Sequence, residues 1–508
     1  MSEKSLKFGT SGIRGIMGPG RNQLNIDTIK RATQGLADYL NEKSERPSVI
    51  ISFDSRNNSR EFAECTASVL AANGIDTDIF REITPVPVLS FAIRRLGCTA
   101  GVMITASHNS REYNGYKVYG ASGGQILDKE AAEVMTKIEA VTPERIKRVS
   151  FAEALAGSCS YAPDELYEEY LAAVRSAVPF PGGDRLSVIY TPLNGSGRKP
   201  VHDLLAEEGF EVFTVPQQAE PDGNFTTCPY PNPEKEDVYR LALEYAKERG
   251  ADIITATDPD CDRVGAMAFD GDEYVLLSGN DLGALLLEYI CSTSDDVKGR
   301  TVVSTIVSTP IIDRIAEHYG AEVIRTLVGF KYIGRKMDEL QEKFLFGFEE
   351  SNGFLTGTYA RDKDGAAGVK LICRMAAFYR EKGLTLMDAL EQIYEKYGAV
   401  MTHTVNYNIG SSEEREAVMR EVRNRQKLCR VFGHVAGYMD YMTPDTGLPK
   451  SDIVSLRLED GSGMIIRPSG TEPKIKLYIS ACSSSAEAGR QKTAELAERF
   501  SRMLKREE

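Results

Sequence analysis

Two residue types that could carry out covalent chemistry stand side by side in one short polar loop. An apolar segment at residues 101–104 predicts a strand, and Ser107 and His108 follow it closely. Ligands of α/β proteins bind beyond the carboxyl ends of strands, so this position indicates a site. A hydroxyl beside a proton carrier suits a nucleophile. An ordinary strand-to-helix connection would fit as well, but the nearby cation of Lys117 favours the nucleophile.

Three aspartates occupy alternate positions in a second loop, which follows another predicted strand. Asp258, Asp260 and Asp262 can direct three carboxylates at one point if the backbone is extended or turns there. Hard oxygen ligands of this kind suit Mg²⁺. An EF-hand would need Gly and Glu where this chain has Arg263 and Phe269. A solvated acidic loop is the other alternative, but the apolar flanks favour a fixed loop and a metal site.

A third loop contains Glu349, Glu350 and Ser351 after a short apolar segment. Carboxylate oxygens accept hydrogen bonds, and a serine hydroxyl both donates and accepts, so this set can bind neighbouring hydroxyls of a sugar. A second metal site or a polar turn would fit the same residues.

A fourth loop, between two predicted strands, is rich in groups that bind phosphate. It contains Arg467, Ser469, Gly470 and Thr471. An arginine, two hydroxyls and a glycine that exposes backbone N–H groups can form a phosphate cradle. The P-loop pattern GxxxxGK[ST] is absent, and a structural turn is the alternative. Together the four loops supply what phosphoryl transfer to and from a phosphosugar needs.

Strands and helices in a repeated order must position these loops. Three segments, beginning near Ser48, Leu186 and Thr301, each read as a β-branched strand, a small-residue loop and an amphipathic helix. This alternation predicts βαβ units and mainly parallel sheets. Beyond about residue 400 a strand, a charged helix at 412–427, a hairpin-like strand pair and a terminal helix predict a smaller α+β domain.

The sequence therefore predicts an α/β fold with three related α/β domains and a smaller C-terminal α+β domain. The length of 508 residues allows this number, because one domain typically has roughly 100–200 residues. The predicted domains are residues 1–155 with the serine loop, 160–272 with the metal loop, 273–399 with the sugar loop and 400–508 with the phosphate loop.

Composition and charge limit the partners of the chain. A net charge of −13 argues against general binding of nucleic acid or anionic membranes, because both need clustered Lys and Arg. Nine scattered cysteines without metal-ligand spacing indicate free thiols in a reducing compartment. No signal sequence and no apolar segment long enough to span a bilayer is present. We therefore expect a cytoplasmic protein, a monomer, whose partner is a small phosphosugar.

These motifs, taken in order, resemble the α-D-phosphohexomutase family, which includes phosphoglucomutases and phosphomannomutases. The resemblance covers nearly the whole chain, and the similar segments are residues 8–15, 105–109, 258–263, 349–351 and 467–471. It implies three related α/β domains and a fourth, smaller domain around one central cleft.

The resemblance also implies a mechanism in which Ser107 carries a phosphoryl group. Mg²⁺ would be held by Asp258, Asp260, Asp262 and a phosphoserine oxygen. The enzyme would donate its phosphoryl group to the substrate, which gives a sugar bisphosphate such as glucose 1,6-bisphosphate. That intermediate would turn around in the cleft and return its other phosphoryl group to the serine.

Further residues receive roles from the same resemblance. We expect Lys117 to assist proton transfer to and from the sugar hydroxyl, with His108 as its competitor, and we group Arg263 with these catalytic residues. The residues expected to contact the sugar and its phosphate are Arg14, Lys331, Glu349, Ser351 and Lys363, together with Arg467, Ser469, Gly470 and Thr471.

Two positions depart from the family pattern. Ser110 stands where members commonly have proline, and Cys261 stands where they often have Ala or Gly. Neither change removes a chemical group, but Ser110 adds a second hydroxyl that could be confused with the phosphorylated one and could alter the rigidity of the loop.

The substrate is the most open question at the sequence level. The form Glu349-Glu350-Ser351 resembles phosphoglucomutases, so we expect glucose 1-phosphate and glucose 6-phosphate. Mannose phosphates would also fit, and residues 353–365 resemble a branch that includes phosphopentomutases. A phosphoserine-dependent sugar phosphatase and a non-catalytic phosphosugar-binding protein are the alternatives outside the mutases.

Overall fold

The computed structural model describes residues 8–9, 12–179, 185–469 and 474–505. The fold is of mixed α/β class, as the sequence predicts. The chain divides into two compact units, of which one contains Met1–Gly279 and Gly329–Met387 and the other Asn280–Val328 and Asp388–Glu508. The segment predicted as a third domain, residues 273–399, is therefore shared between the two units.

The first unit begins with a seven-stranded sheet. Its strands are β1 (Phe8–Gly9), β2 (Gly12–Ile16), β3 (Ser48–Phe53), β4 (Asp76–Ile79), β5 (Ala100–Ile104), β6 (Tyr113–Gly120) and β7 (Cys159–Tyr161). Its helices are α1 (Ile26–Lys43), α2 (Ser59–Ala72), α3 (Val86–Leu96), α4 (Asp128–Ala140), α5 (Phe151–Ala156) and α6 (Glu165–Ala177). Apolar residues of α1, α2 and α4 form one core cluster with this sheet, and those of α3 and α6 form another.

The strand order in this sheet is β1-β2-β6-β5-β3-β4-β7. Strands β5, β3, β4 and β7 are parallel to one another, and β6, β2 and β1 continue the sheet in antiparallel pairing. Strand β7 lies beyond residue 155, the predicted end of the first domain. Strand β7 pairs with β4, with Cys159 opposite Thr77, and so extends the sheet to Tyr161. This pairing covers backbone N–H and C=O groups that β4 would otherwise expose at the edge of the sheet.

The second sheet carries the aspartate loop. Its elements are β8 (Ser187–Thr191), α7 (Arg198–Ala206), β9 (Glu211–Thr214), α8 (Pro216–Ala219), α9 (Arg240–Arg249), β10 (Ile253–Thr257), β11 (Val264–Phe269) and β12 (Tyr274–Leu276). The strand order is β12-β11-β10-β8-β9, with β10, β8 and β9 parallel and β11 and β12 antiparallel. As in the first sheet, parallel strands are continued on one side by antiparallel ones, a common arrangement in mixed sheets.

The chain then passes into the second unit and back. Its next elements are α10 (Gly279–Thr293), β13 (Thr301–Thr305), α11 (Ile311–Tyr319), β14 (Glu322–Thr326), α12 (Phe330–Leu340), β15 (Phe344–Glu349), β16 (Gly353–Thr356), α13 (Gly365–Glu381) and α14 (Leu386–Tyr397). Strands β13 and β14 pair in parallel in the second unit, whereas β15 and β16 form an antiparallel hairpin in the first.

The C-terminal part of the second unit is an antiparallel sheet with helices on its apolar face. Its elements are β17 (Ala399–Asn408), α15 (Ser412–Val422), α16 (Arg425–Phe432), β18 (Val435–Asp440), β19 (Val454–Leu458), β20 (Gly463–Pro468), β21 (Lys474–Ser483) and α17 (Ala486–Lys505). The strand order is β17-β21-β20-β19-β18. Buried residues of the sheet and of α15, α16 and α17 form one core.

One helix predicted from the sequence is two helices in the structure. The segment 412–427 is interrupted after α15, and α16 begins behind Asn424, whose side chain accepts a hydrogen bond from the N–H of Lys427 at 3.1 Å. Asparagine is a strong N-cap residue, so it starts a new helix rather than continuing the old one. Within the described ranges, no helix is both long and apolar enough to cross a membrane.

Candidate active site

Strand β5 positions Ser107. All five residues of β5 are buried, and the chain turns directly after it, with Ser107 in the left-handed region at φ +53°. The Ser107 hydroxyl donates a hydrogen bond to Oδ2 of Asp258 at 2.7 Å, and its oxygen lies 3.2 Å from Nδ1 of His108. The predicted nucleophile, a possible proton carrier and the aspartate loop therefore meet at one point.

The second serine of this loop has a different partner. The Ser110 hydroxyl is hydrogen-bonded to the carboxylate of Glu112, an interaction that lowers the pKa of that carboxyl. Of these two serines, both in the described part of the chain, only Ser107 is hydrogen-bonded to the aspartate loop. The departure from the family pattern at Ser110 thus leaves one hydroxyl facing the aspartates.

The three aspartates lie in the turn between β10 and β11. Their side chains are buried, and one carboxylate oxygen of each lies within 4.8 Å of the others. Oδ1 of Asp258 accepts hydrogen bonds from the N–H groups of Asp262 and Arg263, at 3.1 and 2.9 Å. Burial raises the pKa of Asp258, and the neighbouring carboxylates of Asp260 and Asp262 raise it further.

The donor set of this turn fits a divalent cation. Oδ2 of Asp260 lies 2.8 Å from Nζ of Lys117, and Oδ2 of Asp262 lies 3.2 Å from Nζ of Lys363. The Oδ1 atoms of both aspartates are buried and have no hydrogen-bond partner among the described residues. Buried carboxylate oxygens normally have partners, so two orphaned oxygens beside Asp258 are suitable ligands for Mg²⁺.

Two buried lysines form ion pairs with the aspartates. Burial alone would lower the pKa of Lys117, but the charges of Asp260 and Asp262 outweigh it and raise that pKa. Lys363 is held in the same way, and its Nζ lies 3.2 Å from Asp362 and 3.8 Å from Glu349. Both ammonium groups are therefore charged and fixed by carboxylates.

The pKa of His108 is lowered, whereas that of Lys117 is raised. The half-buried ring of His108 has a pKa well below the ordinary value, first because of desolvation and then because of the guanidinium groups of Arg263 and Arg14. The imidazole is therefore neutral at pH 7 and able to accept a proton. The side chain of Arg263 is itself held by an ion pair with Glu234.

The predicted sugar loop is tied to the aspartate loop. Glu349 ends β15 and is buried, whereas Ser351 is half-buried. Asn352 bonds to Val264 through both its backbone carbonyl and its side chain, at 3.0 and 3.1 Å. A Cβ atom at Gly353 would lie 2.0 Å from Cδ of Lys363, so a larger residue there would displace this lysine from its position near Glu349.

Two predicted substrate cations already have partners. Nζ of Lys331 lies 2.6 Å from Asp128, whose second oxygen accepts a hydrogen bond from the hydroxyl of Tyr332 at 2.5 Å. Arg14, an exposed residue on β2, donates to the side chain of Asn109 at 2.8 Å. Arg14 is thereby connected to the loop that carries Ser107.

The phosphate loop is described only in part. Arg467 is half-buried near the end of β20, and the N–H of Ser469 donates to the carbonyl of Lys474 at 2.8 Å. The predicted residues Gly470 and Thr471 lie outside the described residues. This loop belongs to the second unit, whereas the other predicted site residues belong to the first.

Several residues that position the site were missed by sequence reasoning. The N–H groups of Val86, Ser196 and Gly365 each donate to a carbonyl of the aspartate loop at 2.9 Å. Asp54 and Arg56, which follow β3, contact the serine loop. Asp54 and Arg56 follow the strand of one of the three strand–loop–helix segments, and this position was a signal of a functional role. No local sequence pattern indicates that they contact the serine loop.

Four successive segments of the chain match the domains of one known protein family. Residues 5–145, 167–271 and 278–397 match the phosphoglucomutase/phosphomannomutase alpha/beta/alpha domains I, II and III, and residues 412–498 match the C-terminal domain of that family. The chain belongs to the phosphoglucomutase/phosphomannomutase family. Its members' four-domain organisation agrees with the mixed α/β fold described above.

Individual relatives cover nearly the whole chain. A phosphoglucomutase of Staphylococcus saprophyticus is 36% identical over 501 residues, which cover 94% of this chain and 91% of that protein. A phosphoglucomutase of Staphylococcus aureus is 34% identical over 498 residues, with 94% and 90% covered. The structure of a phosphoglucomutase/phosphomannomutase family protein from Burkholderia thailandensis has the same fold, with a TM-score of 0.75, 18% identity and 98% and 97% of the two chains covered.

Proposed function

We propose that this chain is a phosphoglucomutase, which interconverts glucose 1-phosphate and glucose 6-phosphate through a phosphorylated serine. The observation that carries the proposal is the 2.7 Å hydrogen bond from the Ser107 hydroxyl to Asp258 within the buried aspartate cluster. Phosphoryl transfer depends on a well-positioned oxygen and on neutralisation of charge beside it, and this arrangement suits both. The names of the Staphylococcus relatives support glucose as the sugar.

The proposed reaction moves one phosphoryl group at a time. The bond between phosphorus and the Ser107 oxygen breaks while a sugar hydroxyl oxygen bonds to the same phosphorus. A base takes the proton of that hydroxyl, and the Ser107 oxygen gains a proton. The sugar then carries two phosphoryl groups, and the reverse step with the other group restores phosphoserine and releases the isomer.

Two side chains are candidates for the proton carrier. We assign this role to Lys117, whose ammonium group, paired with Asp260, can donate a proton to the leaving Ser107 oxygen and, as the resulting amine, take up the proton of the sugar hydroxyl. His108 is the alternative, because its neutral ring accepts a proton and already contacts the Ser107 hydroxyl. Arg263, held beside them, would stabilise negative charge on the transferring group.

The aspartate cluster is the proposed Mg²⁺ site. Asp258, Asp260 and Asp262, with an oxygen of phosphoserine 107, would hold the ion, and the two orphaned Oδ1 atoms support this assignment. When bound, Mg²⁺ would neutralise charge beside the phosphoryl group. A glucose bisphosphate would serve as the activating compound, because it can phosphorylate Ser107 in enzyme that has lost its phosphoryl group.

The remaining assignments concern the sugar and its phosphate. Glu349 and Ser351 would bind the 3- and 4-hydroxyls of the sugar, since a carboxylate and a hydroxyl suit neighbouring hydroxyl groups. The proposed contacts to the rest of the substrate are Arg14, Lys331, Lys363, Arg467, Ser469, Gly470 and Thr471.

The four domains would end near residues 161, 272, 399 and 508.

We also place the enzyme in a reducing compartment, the cytoplasm. All nine cysteines are unpaired, as expected for a chain that is not exposed to oxidising conditions. A monomer remains our prediction for its oligomeric state.

A substrate panel tests the proposed function. We expect kcat/KM to be highest for glucose 1-phosphate among the 1-phosphates of glucose, mannose, ribose and glucosamine. A tenfold higher value for ribose 1-phosphate, equivalent to about 1.4 kcal/mol, would assign the enzyme to pentoses instead. Release of inorganic phosphate without isomer formation would indicate a phosphatase, and binding without any turnover would indicate a non-catalytic protein.

A further inference from the structure

The turn that follows β3 lies beside the loop that carries Ser107. Strands β3 and β5 are parallel neighbours, with Phe53 opposite Ile104, so the segments after their carboxyl ends emerge side by side. The N–H of Asp54 donates to the carbonyl of Ile104 at 3.1 Å and connects the two segments. Arg56 comes two residues later, and only 3% of its surface is exposed.

The guanidinium of Arg56 binds the serine loop through four backbone carbonyls. One terminal nitrogen donates to the carbonyls of Ser110 and Tyr113, at 2.9 and 3.1 Å. The other donates to the carbonyls of Ser107 and Asn109. A guanidinium is planar and its N–H groups point in fixed directions, so one side chain sets the curvature of a seven-residue loop.

Thr105 binds the other backbone polar group of Ser107, its N–H. The hydroxyl of Thr105 accepts a hydrogen bond from the N–H of Ser107 at 2.8 Å and donates to Oδ2 of Asp54 at 2.6 Å. That carboxylate oxygen also lies 3.3 Å from Nε of Arg56. Asp54 therefore links Thr105, which binds the N–H of Ser107, to Arg56, which binds the carbonyl of Ser107.

Ser107 needs such contacts because of its backbone conformation. At φ +53° it occupies a region that residues other than glycine adopt only at an energetic cost. In this conformation its hydroxyl reaches Asp258. The guanidinium carbon of Arg56 also lies 4.9 Å from the ring centre of the buried Phe225, a cation–π contact that adds to its hydrogen bonds.

We propose that Arg56 and Thr105 are positioning residues that hold Ser107 in its reactive conformation, with and without the phosphoryl group. This inference rests on the proposed function, in which Ser107 carries that group. Neither side chain needs to touch the substrate. Loss of either contact should therefore slow phosphoryl transfer and leave substrate affinity nearly unchanged.

The test compares two substitutions at Thr105. Thr105→Val keeps the shape of the side chain but removes the hydroxyl, and Thr105→Ser restores it. We expect Thr105→Val to lower kcat for glucose 1-phosphate by at least about tenfold, with KM within about twofold, because small displacements of a reacting atom are costly. Thr105→Ser should recover most of the loss. Thr77→Val, at a buried threonine on β4 whose hydroxyl bonds to Ile75 at 3.0 Å, is the matched control.

Arg56→Lys provides an independent variant that keeps the charge but cannot bind four carbonyls. It should show the same selective loss of kcat, whereas Arg60→Lys, at an exposed arginine on α2, should not. If Arg56→Lys does not fold, the Thr105 pair decides alone. Unchanged kcat in Thr105→Val, or an equal loss in Thr105→Ser, would overturn the inference while leaving the proposed function intact. Activity in Ser107→Ala would overturn both.

Discussion

Ser107 and the three aspartates form a site in which each residue has a distinct chemical task. The Oδ2 atoms of Asp260 and Asp262 face lysines, and their Oδ1 atoms have no hydrogen-bond partner among the described residues. Asp258 instead faces Ser107. Charge crowding of this kind stabilises a bound cation and, without one, favours protonation. The residues therefore fit a metal-assisted transfer better than a purely structural cluster.

Replacement of the nucleophile tests the role of Ser107 directly. Ser107→Ala should lose mutase activity by at least about 10⁴-fold, because no other hydroxyl of the loop faces the aspartates. Intact-mass measurement should show a phosphoryl group on the wild-type protein and none on this variant. Ser110→Ala, the matched control, should keep both the modification and the activity. Phosphate mapped to Ser110 in the wild-type protein would contradict the assignment.

Replacement of one aspartate tests the metal site. Asp260→Asn should raise the Mg²⁺ concentration needed for half-maximal activity by at least roughly tenfold, since it removes a ligand charge. Titration of the chelator-treated enzyme with Mg²⁺ measures this. Asp272→Asn, at an exposed aspartate in the turn between β11 and β12, should titrate like the wild type. Full activity of the wild-type enzyme in excess chelator would exclude the metal.

At the scale of elements, the ends of two helices hold the aspartate loop. The first N–H groups of α3 and α13, those of Val86 and Gly365, donate to the carbonyls of Asp260 and Cys261 at 2.9 Å. N–H groups at a helix start have no partner within the helix, so they are available for such contacts. The same helix ends carry partial positive charge, which favours the buried carboxylates.

A glycine at the start of α13 makes this contact possible. A Cβ atom at Gly365 would lie 2.8 Å from the carbonyl oxygen of Cys261 and 2.9 Å from that of Arg263. Gly365→Ala should therefore displace the loop and lower kcat roughly 10- to 100-fold, measured with saturating Mg²⁺. Gly120→Ala, where the nearest atom would lie at 3.8 Å, is the control. Equal activity of the two variants would show that this helix does not position the loop.

At the scale of the whole molecule, an acidic protein places three cations among the aspartates of the candidate site. The net charge is −13, yet Lys117, Lys363 and Arg263 are all buried or half-buried around the aspartates in the first unit. The second unit contributes a separate cationic loop that begins at Arg467. Transfer chemistry and the predicted phosphate binding are thus assigned to different units.

This division predicts different kinetic effects in the two units. Arg467→Ala should raise KM for glucose 1-phosphate roughly 10- to 150-fold and leave Tm nearly unchanged, because a hydrogen bond to a charged group contributes about 1.5–3 kcal/mol. Steady-state kinetics and a thermal scan measure both. Arg457→Ala, at an exposed arginine on the neighbouring strand β19, should leave KM unchanged. An unaltered KM in Arg467→Ala would remove this arginine from the phosphate site.

The sequence by itself predicted the residues of the candidate site and determined the elements around them. The serine loop, the aspartate loop and the sugar loop each follow a strand that the sequence predicts, and β3 spans Ser48–Phe53 as expected. These features are local, since a strand pattern and a loop composition can be read within about ten residues. The exceptions, β7 and the break before α16, involve an edge pairing and a cap that short patterns specify poorly.

Only the tertiary structure decided which groups meet. Lys117 pairs with Asp260 across 143 positions of the chain, and Arg56 binds carbonyls more than 50 positions away. The tertiary structure also decided that the hydroxyl that faces Asp258 belongs to Ser107 and not to Ser110. Such contacts depend on how strands are ordered in a sheet and on where helices begin against a loop. Local residue types and spacings do not reveal these contacts, because the distances between distant segments are set only when the sheets assemble.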